Sequence, residues 1–110
     1  MQAFPQGLIK TVTAGTRVAF PALTANNGQI SRIMVSQAVG MTGAVSIGDA
    51  TVVHSTKVGV ARQFTVPAAT GQLDDFELVN TYDANTVDPT KYYIDSAVNA
   101  EGVVVVYYQN

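Results

Sequence analysis

The run Gly102-Val-Val-Val-Val-Tyr-Tyr108 limits what this chain can fold into more than any other segment. β-Branched and aromatic residues without a charge favour an extended strand. Alternation puts Val103, Val105 and Tyr107 on one side and Val104, Val106 and Tyr108 on the other. Both sides are therefore apolar. A strand in a two-layer sandwich meets the core with one face and water with the other, so the second face needs a cover of its own. Left open, it would be a template for pairing with other chains. Three covers are available: an N-terminal arm or loop of the same chain, a second copy, or a different protein.

Composition narrows the choice. Of the 110 residues, 47% are hydrophobic and 13% are charged, against about 25% charged in an average domain. Thr, Ser, Asn and Gln must provide the polar cover, or part of the surface must be hidden in an oligomer. The low charge favours oligomer contact, and Tyr92, Tyr93, Tyr107 and Tyr108 add to this because Tyr is enriched at interfaces. A net charge of −2 and six scattered basic residues leave no footprint for nucleic acid. With no cysteine there is neither a disulfide framework nor a thiolate metal site. The opening MQAFPQGLIK has no basic n-region and no apolar h-region, so no signal peptide is expected. No run is long and apolar enough for a membrane helix, so no membrane partner is expected.

The length fits one domain. No apolar period of 3.6 residues emerges, and short β-prone runs separated by turn signals predict roughly eight to ten strands. A strand at Leu8–Thr13 is expected to turn at Ala14-Gly15 into Thr16–Phe20, which Pro21 ends. Gln29–Ala38 follows, with Ile33 and Val35 facing inward. Gly48-Asp49 inside AVSIGDATVV reads as a two-residue hairpin turn. Lys57–Val66 and Phe76–Thr81 come next, and Lys91–Asp95 with Gly102–Tyr108 are expected to close the chain as a long hairpin. The pattern predicts an all-β fold, a single antiparallel β-sandwich of jelly-roll type, with an immunoglobulin-like sandwich as the alternative. Residues 8–110 form the domain and residues 1–7, which lack a strand pattern, an N-terminal arm.

Candidate chemistry is sparse. His54 is the only histidine, which argues against a histidine-rich metal site on a jelly-roll scaffold. Ser55 adjoins it and Asp49 is near in sequence, but neighbours on a strand point apart, so a Ser-His-Asp set is not expected. Asp74, Asp75 and Glu77 could supply an acid–base pair, but nothing fixes their separation, and solubility and turn chemistry explain them better. Asp83, Asn85 and Asp88 faintly resemble a calcium loop but lack its glycine and glutamate, and an Asx-turn before Pro89 serves as well. GMTGAVSIG lacks the lysine of a phosphate loop. No catalytic, cofactor-binding or metal-binding residue is assigned.

The closing KYYID…EGVVVVYY, the segment VSIGDATVV and the loop VPAATGQLDDFEL together resemble the C-terminal half of head decoration, or cement, proteins of tailed bacteriophages, over about residues 40 to 108. The resemblance implies a non-enzymatic jelly roll, a homodimer or homotrimer made in the host cytoplasm and placed on the outer capsid surface of the virion. It would bind the major capsid protein and stabilise the assembled head by bridging its subunits. Within that reading Val104, Val106 and Tyr108 are the candidate self-interface, and Met1, Gln2, Ala3, Phe4 and Pro5 the candidate capsid contact. Deleting residues 1–6 would then abolish capsid binding and leave the fold intact. A carbohydrate- or ligand-binding sandwich is the alternative, disfavoured by the absence of Trp. A small enzyme would need His54.

Overall fold

The computed structural model describes residues 2–23, 30–66, 73–79 and 87–109. The valine run forms β8 (Gly102–Gln109), an interior strand with β1 (Gln2–Lys10) on one side and β3 (Arg32–Gln37) on the other. β6 (Asp75–Leu78) completes this first sheet, in the order β1-β8-β3-β6. The second sheet holds β2 (Val18–Ala19), β7 (Tyr93–Ser96), β4 (Val45–Val53) and β5 (Val58–Phe64), in the order β2-β7-β4-β5. All pairings are antiparallel.

Only β4 and β5 are neighbours both in the chain and in a sheet; every other connection passes from one sheet to the other. That order is the eight-stranded jelly roll, two Greek keys wound into a double sheet. An immunoglobulin-type sandwich would instead pair its first strand with its second. The core lies between the sheets. Ile33, Val35, Val103, Val105 and Tyr107 enter it from the first, and Val45, Ile47, Phe64 and Ile94 from the second. Ile33 and Val35 face inward, as their alternation predicts.

Four local expectations differ from the structure. Residues 2–7 are not a separate arm: they continue β1, with Gln2 opposite Gln109 and Ala3 opposite Tyr108. Pro5 is accommodated because β1 is an edge strand and its register shifts between Pro5 and Gly7. Gly48-Asp49 is not a hairpin turn. β4 runs through it, with a register shift against β5, and the chain reverses at His54–Lys57 instead. Asp49 does make a local turn, accepting hydrogen bonds from the Thr51 amide and hydroxyl. β7 and β8 are not a hairpin either, because they lie in different sheets, and β1 and β2 likewise do not pair. Short loops and β-prone flanks look alike whether a chain returns to its own sheet or crosses to the other. The difference lies in which partner buries more surface.

β8 can be interior only because its first residue has no side chain. A Cβ on Gly102 would collide with the Ile9 carbonyl oxygen of β1. Tyr107, at the other end, is fully buried and donates its hydroxyl to the Pro21 carbonyl at 2.6 Å. Burial pushes its phenol well above the usual range.

Candidate functional site

Strand register fixes what the first sheet shows to the outside. Reading across β1, β8, β3 and β6, one row is Leu8, Val104, Ser36 and Asp75, and the next is Pro5, Val106, Met34 and Glu77. Ala3, Tyr108 and Arg32 make a third, and Lys10 stands one row beyond Leu8, opposite Gly102. The face is thus aliphatic over β1 and β8 and acidic at β6. Leu8 is 51% and Val104 36% exposed. Val106, Tyr108 and Met34 are half-buried, and Ala3 and Pro5 are exposed. The Arg32 guanidinium lies 4.4 Å from the centre of the Tyr108 ring and 3.4 Å from Glu77 Oε2, so one side of that ring is covered within the chain.

Val104, Val106, Tyr108, Ala3 and Pro5, assigned from sequence to two different contacts, therefore share one surface. Phe4 does not belong to it: it stands opposite Tyr107 and packs against the core. Gln2 is exposed at the strand end, and Met1 lies outside the described residues.

A second exposed aliphatic region was not legible in the sequence. The sheet crossings bring the β1–β2, β3–β4 and β7–β8 connections, with the end of β5 and the start of β6, to one end of the sandwich. Val12 is 80% and Val39 86% exposed there, with Val66 and Leu73 beside the described ends of the β5–β6 connection. Polar ties stiffen this end. Gln37, buried, donates to the Thr65 carbonyl and accepts from the Asp74 amide, each at 2.6 Å, linking β3 to both flanks of the β5–β6 connection. The Glu101 carboxylate accepts from the Thr42 amide and hydroxyl, and its carbonyl accepts from the Thr11 amide.

The outside of the second sheet is polar and closed. Asp95 and Ser46 stand opposite each other on β7 and β4 and both are buried. Asp95 Oδ1 accepts from the amides of Gly15 and Ser96, and Oδ2 from the amide of His54, at 2.8 to 2.9 Å. One carboxylate thereby fastens the β1–β2 connection and the β4–β5 turn over the sheet. His54 Nδ1 and Ser46 Oγ share a hydrogen bond of 2.8 Å. Partial burial and the nearby Lys57 hold the His54 pKa below its ordinary value, with Asp95 opposing them.

Ser46, His54 and Asp95 are thus the serine, histidine and aspartate that meet, in place of Ser55 and Asp49. Their arrangement is that of a lock. The carboxylate binds the histidine's backbone, and Ser46 has no exposed surface through which to meet a substrate.

The acidic residues are dispersed. Asp74 pairs with Arg62 at 3.1 Å and Glu77 with Arg32. Asp88 caps the 3-10 turn Pro89–Lys91 by accepting from the Thr90 hydroxyl and amide, which lower its pKa. Asp83 and Asn85 lie outside the described residues. Among the described residues no three His, Asp or Glu side chains are grouped to hold a metal, and no helix is long and apolar enough to cross a membrane.

No known protein family, curated protein or solved structure matches the chain.

Proposed function

We propose that the chain is a structural cement protein, a head decoration protein of a tailed bacteriophage that bridges neighbouring major capsid subunits on the outer surface of the assembled head without catalysing a reaction. The reading is carried by one observation: six of the exposed aliphatic side chains gather on two separate sides of the jelly roll, with Val58 and Val79 standing apart from both. One is the outer face over β1 and β8, the other the loop end with Val12 and Val39. A bridging protein needs two contact surfaces. A hydrophobic patch with no internal cover is the ordinary mark of such a surface. The sequence resemblance points the same way.

Binding only the assembled shell would stabilise that state by mass action. Symmetry-related copies would add avidity from individually weak contacts.

The loop end is the proposed shell contact. Residues 2–7 are no longer a clean target, because their removal would strip β8 of its edge partner and disturb the fold. Co-sedimentation with expanded phage heads tests the assignment. The wild-type chain should pellet with the heads, and a Val12→Glu/Val39→Glu variant, melting at an unchanged temperature, should stay in the supernatant. Failure of the wild-type chain to pellet would remove the cement reading. Reproducible retention on a glycan array would replace it with a sugar-binding module.

A further inference from the structure

The structure also points to what covers the outer face. We infer that it is a second copy of this chain, related by a two-fold axis that runs along β8 between two facing sheets. This rests on the reading above only in taking that face for a contact surface.

Charge placement on the face singles out that arrangement. Lys10 stands on the outer face of the β1 edge, while Asp75 and Glu77 stand on the same face at the opposite, β6 edge. Between them lie Leu8, Pro5, Val104, Ser36, Val106 and Met34, none with a charge, and the one further cation described on this face, Arg32, is paired with Glu77 and lies over the Tyr108 ring. A two-fold along β8 lays β8 on its copy, so that Val104 and Val106 meet their own equivalents. It lays β1 over the second copy's β3, with Leu8 and Pro5 across from Ser36 and Met34. It brings the second copy's β6 alongside the β1 edge, where the Lys10 ammonium reaches towards Asp75.

The basic edge meets the acidic edge twice, once on each side, around an aliphatic centre. A two-fold across the strands would set β1 against β1 and Lys10 on the edge with no acid. Aligned packing of two sheets about 10 Å apart is the ordinary geometry for faces of this kind. The contact is isologous, so it closes at two copies.

Sedimentation velocity on the purified chain over a concentration series tests this, with thermal melts confirming that each variant is folded. The wild type should be a dimer, and Val104→Lys a monomer. Lys10→Asp and Asp75→Lys should each weaken the dimer by about tenfold, because one substitution breaks two symmetry-related surface pairs. Combining them should restore the wild-type constant. A wild-type monomer or trimer would overturn the inference. So would a dimer indifferent to both charge reversals, or one that the combined variant fails to restore. Head binding is read separately, so a dimer that ignores phage heads would end the cement proposal and leave this one standing.

Discussion

Each sheet of the sandwich has four antiparallel strands, yet the two outer faces end in opposite states. Outside the second sheet, Asp95 draws in three backbone amides and closes two connections over a polar surface. Outside the first sheet, the alternate residues of β8 are Val104, Val106 and Tyr108, and among the described residues Arg32 reaches over part of them. A buried carboxylate with its hydrogen bonds satisfied can hold loops over a face. A row of valines has nothing to offer a loop's polar backbone, so it waits for another apolar surface. The closed face stabilises the fold; the open face is available to a partner.

The largest effect should come from opening the closed face. Asp95→Ala leaves the amides of Gly15, Ser96 and His54 without their acceptor, and should cost about 3 kcal/mol in urea-induced unfolding. A loss below about 0.5 kcal/mol would mean that the connections close that face without the carboxylate. Next come two neighbours on β8 with opposite directions. Val105→Ala, in the core, should cost about 2 kcal/mol, and Val104→Ala, on the open face, less than about 1 kcal/mol at concentrations where the chain is monomeric. Equal losses would show that the outer face is covered within the chain.

A smaller effect is pH-dependent and belongs to the closed face. His54 has its folded-state pKa held below the ordinary 6.5. As pH falls through 6.5 the unfolded chain takes up the proton first, so stability is complete above that value and declines below it, towards the lower folded-state pKa. The melting temperature should therefore drop between pH 7.5 and 5, and His54→Gln should remove that part of the drop. An identical pH profile in the variant would exclude the imidazole as its source.

The smallest effect should be a gain. Lys57 closes the β4–β5 turn with a positive φ of 64°, and Lys57→Gly should relieve it by about 0.5–1 kcal/mol. A destabilised variant would indicate that the lysine side chain matters more to the turn than its backbone strain.

Much of the architecture was legible along the chain. β-Prone runs between turn signals indicated an all-β sandwich, and alternation set Ile33 and Val35 inside and grouped Val103, Val105 and Tyr107 on one side of their strand, which the structure buries. The lack of a distinctive motif around His54 was also legible, but its meeting with Ser46 and the role of Asp95 were not. Those contacts join residues on β4, β7 and two connections, and Asp95 reads in sequence as an ordinary polar alternation.

What the sequence determined by itself was local: which residues extend, which side of each strand is apolar, and that β8 would need two covers. Those properties follow from backbone sterics and the two-residue period of a strand. Tertiary structure alone decided that β7 and β8 part into different sheets and that residues 2–10 supply the edge beside β8. It also gathered the β1–β2, β3–β4 and β7–β8 connections at one end and left the second apolar face of the valine strand as surface. Strand pairing is chosen by the total burial of both sheets at once, and no window along the chain contains that sum.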